Sequence, residues 1–193
     1  MKDVIRKCVI AAAAAVILVA VPQPAAAEES KPFANGTFRI VVPATFGEFA
    51  EQTQKTDGEN GVIETTNYVS KAPTGEAIVV TMSKMPATIL DPQKMIDSTK
   101  DSLLKSLGAT IEKEDIIEGS RTETALLFRN DSAPVFLRSR LLVEDDRFYQ
   151  VLYVGRTEEQ RASAAVGSLF TSFEIVAPVE PAAADDAQPQ VAD

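Results

Sequence analysis

The chain has 193 residues, a net charge of −9, one cysteine and no histidine. Without histidine there is no Ser-His or Cys-His nucleophile pair, no histidine-ligated zinc and no ordinary general base near neutral pH, leaving carboxylates, Lys, Tyr, Ser and Thr for any catalysis. The acidic balance makes nucleic acid and anionic membrane poor partners.

The N-terminus places Lys2, Arg6 and Lys7 before an apolar run from Cys8 to Val21, then Pro22 and the small residues Ala25, Ala26 and Ala27. This order predicts a secretory signal peptide over residues 1–27, cleaved after Ala27. The run falls short of the roughly 20 apolar residues that span a bilayer, so no stable membrane insertion is expected after cleavage. Cleavage would remove the only cysteine, so no disulfide or thiolate metal site is expected in the exported protein. It would also remove three bases and one acid, taking the charge from −9 to −11.

Residues 28–36 read as an N-terminal extension. FRIVVP, Phe38 to Pro43, alternates and ends on proline, which suggests a first strand. Residues 45–55 fit either a weak helix or a strand, and Asp57-Gly58 with Asn60-Gly61 mark a turn. GVIETTNYVSK and EAIVVTMSK flank APTG and predict a hairpin with Ile78, Val80 and Met82 on one face.

At Asp91 the period changes. Asp91 suits a helix cap and Pro92 the first turn, while Met95, Thr99, Leu103 and Leu107 form one stripe before Gly108, predicting a helix of about 16 residues. Three strand candidates follow: ATIEKEDIIEG, RTETALLFRN and APVFLRSRLLVE. Glu112, Glu114, Asp115 and Glu118 in the first read mainly as a solvated strand face, with a weak divalent-cation site as the sharper alternative. Asn35-Gly36-Thr37 and Asn130-Asp131-Ser132 match glycosylation sequons, which matter only in a eukaryotic secretory path.

VEDDRFYQVLYVG, Val143 to Gly155, sets Asp145 and Asp146 beside an apolar run. With these two at the centre of a tight turn, Val143 pairs with Phe148, Leu141 with Gln150, Ser139 with Leu152 and Leu137 with Val154, giving one largely apolar face. The other face holds Glu144 with Arg147, Leu142 with Tyr149, Arg140 with Val151 and Arg138 with Tyr153. A solvated tip does not split two carboxyl pKa values, so the aspartates are expected to be a turn rather than acid and base. Arg138, Arg140, Tyr149 and Tyr153 become the candidate partner-binding residues, because Arg and Tyr are favoured at interfaces; the bland reading is an exposed or helix-covered stripe.

Thr157 and Gln160 form a capping box, and Ala162, Ala165, Val166, Leu169 and Phe170 give one apolar helix face. SFEIV, Ser172 to Val176, closes the domain as a short strand. The remainder, residues 177–193, is rich in Pro, Ala and acids and reads as a disordered tail. The pattern predicts an α+β domain over residues 37–176.

FRIVVP near the start, GVIETTNYVSK, a middle helix, then RLLVEDDRFYQVLYVG, an amphipathic helix and LFTSFEIV together resemble the PsbP-like superfamily. It includes the extrinsic P subunit of the oxygen-evolving complex, Ran-binding Mog proteins and many exported bacterial proteins. The resemblance implies an α/β/α sandwich with a central antiparallel sheet flanked by helices, and accessory factors that bind proteins rather than enzymes. The histidine-containing metal sites of plant members have no counterpart in this chain, so no functional residue is carried over.

The leading expectation is therefore an exported, non-enzymatic, protein-binding accessory module with no cofactor, metal site or catalytic residue. A carrier of a small apolar ligand or weakly bound divalent cation is the alternative, and a carboxylate-based hydrolase is more remote.

Overall fold

A computed structural model describes residues 30–58, 60–119, 121–130 and 132–176. The expected signal peptide and the acidic tail lie outside the described residues. Ten strands and three helices make up the described chain: β1 (Ser30–Ala34), β2 (Phe38–Pro43), β3 (Ala50–Gly58), β4 (Gly61–Lys71), β5 (Ala77–Lys84), α1 (Pro92–Leu107), β6 (Ala109–Ile117), β7 (Thr122–Asn130), β8 (Val135–Glu144), β9 (Arg147–Gly155), α2 (Glu158–Ala162), α3 (Ala164–Ser172) and β10 (Glu174–Ile175). The protein is α+β, dominated by antiparallel strands. A seven-stranded sheet runs β3-β4-β5-β9-β8-β7-β6, and a separate three-stranded sheet runs β1-β2-β10.

Alternation explains both layers of core. On β8 and β9 one set of alternate side chains is largely apolar and the other mixes Leu142, Tyr149, Val151 and Tyr153 with charged residues, yet the middle of the sheet is covered on both faces. Leu137, Leu141, Val143, Phe148 and Leu152 point one way and join Ile96 and Leu103 of α1. Leu142, Tyr149, Val151 and Tyr153 point the other way, joining Phe38, Ile40 and Val42 of β2 and Val166, Leu169, Phe170 and Phe173 at the C-terminal end. That second layer is mixed, holding three strands as well as two helices, and the strand β1 lies within the stretch read as an extension. Phe33 on β1 packs 4.5 Å from Phe49 and 5.7 Å from Phe38. Those ring contacts explain why this short polar segment is ordered.

α1 follows its sequence signals closely. Asp91 Oδ1 accepts from Lys94 N at 3.1 Å, Pro92 opens the first turn, and Gly108 ends the helix in the left-handed region at φ 57. Its most buried side chain is Ile96, beside Thr99 and Leu103. The second helical stretch departs from the expected single helix. Ser163, with φ −59 and ψ 150, leaves helical geometry and caps a new helix through Oγ, which accepts from Val166 N. Serine favours such a break because its side chain substitutes for the missing backbone bond. Residues 45–55 resolve into a loop followed by the edge strand β3.

Candidate functional site

The β8–β9 hairpin has the register expected from its turn, with Glu144 opposite Arg147, Val143 opposite Phe148 and Arg138 opposite Tyr153. Asp145 takes φ 52, a conformation that Asp tolerates better than most residues. The tip is tied down through its backbone: the Asp146 carbonyl accepts from Met85 N at 2.7 Å and the Asp145 carbonyl from Ile89 N at 2.9 Å. The two aspartates thus anchor the β5–α1 connection, with Asp145 exposed. A groove of about 230 Å3 lies elsewhere, between β1, β2 and α3, lined by Ser30, Val41, Pro43, Ala164, Ala165 and Ser168. It offers no charged group, and it is smaller than the roughly 300 to 1,000 Å3 common for ligand sites. Among the described residues, no group of three or more His, Cys, Asp or Glu side chains is placed to hold a metal ion.

Arg138, Arg140, Tyr149 and Tyr153 do share one face, and the structure gives them different surroundings. Tyr149 and Tyr153 are 0% exposed, covered by the β1-β2-β10 layer and the C-terminal helices. Burial pushes the Tyr149 phenol above its usual pKa. The Tyr153 hydroxyl donates to Glu76 across the hairpin end. Arg140 is fully engaged: its guanidinium pairs with Glu123 and donates to the Phe170 carbonyl at 2.8 Å and the Phe173 carbonyl at 3.3 Å. Those carbonyls lie at the C-terminal end of α3, where a cation is favoured by the helix dipole. Arg140 is thus a clamp between sheet and helix.

Arg138 is different. Its guanidinium lies 4.6 Å from the centre of the Phe170 ring and is partly buried. No carboxylate pairs with it among the described residues. Desolvation, then the nearby charge of Arg161, lower its pKa from the usual guanidinium value. The neighbouring side chains on this face are only partly covered: Leu127, which is opposite Arg138, and Ala125, opposite Arg140. Beyond them Lys113, Asp115 and Ile117 of β6 are exposed.

Three residues beyond the four expected ones shape this wing. Arg161 of α2 is 5% exposed in its side chain, bonds to Glu112 Oε2 at 2.5 Å and lies 5.5 Å from the Phe136 ring centre. Glu112 is delivered by a break in register between Ile111 and Lys113, and Arg129 approaches it at 3.5 Å. Glu123, only 3% exposed and flanked in sequence by two threonines, holds Arg140. A charged residue at an inward position of an alternating strand was the available signal for Glu123; the bulge that aims Glu112 left none.

Strand order, register and the helix-covered hairpin define a PsbP-like fold. A solved structure with this fold is the solution structure of cyanobacterial PsbP (CyanoP) from Synechocystis sp. PCC 6803, which superposes with a TM-score of 0.52 at 9% identity, covering 81% of this chain and 98% of that one. At that identity the likeness shows the fold alone. No protein-family profile and no curated protein sequence matches the chain. No helix among the described residues is long and apolar enough to cross a membrane.

Proposed function

We propose that the chain is an exported, non-enzymatic accessory module, an α/β/α sandwich in layout, that binds another protein through the wing of the sheet beside α2 and α3. The observation that carries this is Arg138: a partly buried guanidinium with no carboxylate among the described residues, next to a second arginine and bordered by half-covered Leu127 and Ala125. Every other group in that neighbourhood has its counter-charge, as Arg140 has Glu123 and Arg161 has Glu112. A desolvated cation without an acceptor is unfavourable in isolation and suits a carboxylate supplied from outside. Tyr149, Tyr153 and Arg140 serve this reading as the fixed support that holds Arg138 in place. Export rests on the signal-like residues 1–27, and the PsbP-like fold is consistent with a binding rather than a catalytic role.

The test is affinity capture from the exported fraction with the wild-type chain and with Arg138→Ala. The reading expects one reproducible protein partner, recovered at least ten-fold less by the variant while its melting temperature stays within a few degrees of wild type. Equal recovery by both, or no reproducible partner, contradicts it.

A further inference from the structure

β6 ends the seven-stranded sheet, so among the described residues one side of its backbone has no neighbouring strand. Natural edges are usually blunted by charge, proline or a bulge. The opposite edge, β3, is made of Ala50, Glu51, Gln52, Thr53, Gln54, Lys55, Thr56, Asp57 and Gly58 and shows no large exposed apolar side chain. β6 has its bulge early, at Glu112, and then runs regularly from Lys113 to Ile117. At that end Ile116 is 67% exposed and Ile117 40% exposed, and they point to opposite faces of one edge. Isolated exposed apolar residues are ordinary, but two adjacent ones on an open strand edge give an incoming strand something to pack on above and below.

We infer that β6 accepts an extra antiparallel strand from a basic partner protein, paired along Lys113 to Glu118. This rests on the protein-binding reading above and names the mode and chemistry of a second contact. A second copy of this chain is a poor occupant. Two copies joined edge to edge about a twofold axis keep like faces together. Centred on Glu114 or Asp115, that arrangement sets an acid against itself; centred on Ile116, it sets Glu114 against Glu118. Directly opposed like charges are destabilising. A partner strand avoids this when it carries cations opposite Glu114, Asp115 and Glu118 and apolar residues opposite the two isoleucines. Glu114 already holds Lys100 at 2.7 Å and Asp115 holds Lys113 at 2.7 Å. A carboxylate has about four acceptor positions, so each can take a further donor.

Read antiparallel from Glu118 back to Lys113, the complementary strand is Lys-Val-Val-Lys-Lys-Glu. The experiment titrates this blocked hexapeptide, and its charge-reversed counterpart Glu-Val-Val-Glu-Glu-Lys, into the full exported chain and follows backbone amide shifts by NMR. The inference expects shifts confined to residues 112–118 and their β7 neighbours, at least ten-fold weaker binding of the charge-reversed peptide, and a similar loss in the double variant Ile116→Lys, Ile117→Lys. Gln54→Ala on the opposite edge β3 should leave peptide binding unchanged. Shifts centred on β3, equal affinity for both peptides, no binding by either, or self-association of the free chain through β6 would overturn it. If partner capture depends on Arg138 while the peptide fails, the edge inference falls alone; if capture fails as well, the protein-binding reading falls with it.

Discussion

Glu123 and Arg140 face the same side of neighbouring strands with little water around either, and their pair is completed by carbonyls from the end of α3. Removing one member of such a pair leaves a charge without compensation. Glu123→Ala should therefore destabilise the protein by about 3 kcal/mol, read from urea denaturation, whereas the double variant Glu123→Leu, Arg140→Met should recover much of that loss. An equal loss in both would show that packing rather than charge is at stake. The α1 side of the sheet makes the converse case. Thr124 Oγ1 and Ser139 Oγ are buried without a hydrogen-bond partner among the described residues. Thr124→Val and Ser139→Ala should leave the melting temperature unchanged or raise it, while Leu141→Ala at the same layer should cost about 2 to 5 kcal/mol. A large destabilisation by Ser139→Ala would contradict this.

At the scale of elements, legibility followed locality. α1 was readable because cap, proline, stripe and terminating glycine all lie within the helix; Asp91→Ala should cost about 1 kcal/mol, seen as a fall of a few degrees in melting temperature. The hairpin register was readable because a two-residue turn fixes every later pair. What the hairpin faces was not: Tyr149 and Tyr153 share a face with Arg138 and Arg140 as an exposed stripe would, yet β2, far back in the sequence, and α3 cover them. The break at Ser163 escaped for a related reason, since the apolar spacing of Ala162, Ala165 and Val166 continues across it and only the serine hydroxyl redirects the chain. α1 is also joined to β6 by Lys100 and Glu114. The hydrogen bond from Lys100 to Glu114 raises the Lys100 pKa above its ordinary 10.5. A raised cationic pKa means that the stabilisation is fully present below about pH 10.5 and is lost as pH rises through the folded value. The stability difference between wild type and Lys100→Met should therefore be constant from pH 7 to 9 and shrink above pH 11; a difference that persists there would assign it to packing of the lysine stem.

For the molecule as a whole, the two cores leave the centre of the sheet closed on both faces, and accessible chemistry is displaced to the β6–β7 wing. Arg138 looks out there over Phe170, and Ile116 and Ile117 mark the open edge. The sequence groups Arg138 with Arg140, Tyr149 and Tyr153, of which the structure buries the two tyrosines and pairs Arg140 with Glu123. It read β6 as a solvated face because the acids outnumber the isoleucines, and an edge position cannot be distinguished from an interior one by alternation. The central claim is that this wing meets a partner protein. The direct measurement places a photocrosslinking residue at position 127, beside Arg138, and another at position 54 on the far edge β3, and irradiates cells of the native host. One discrete adduct at position 127, absent at position 54 and lost when Arg138→Glu is added, is the predicted result. No adduct at position 127, or the same adducts at both positions irrespective of Arg138, would contradict it.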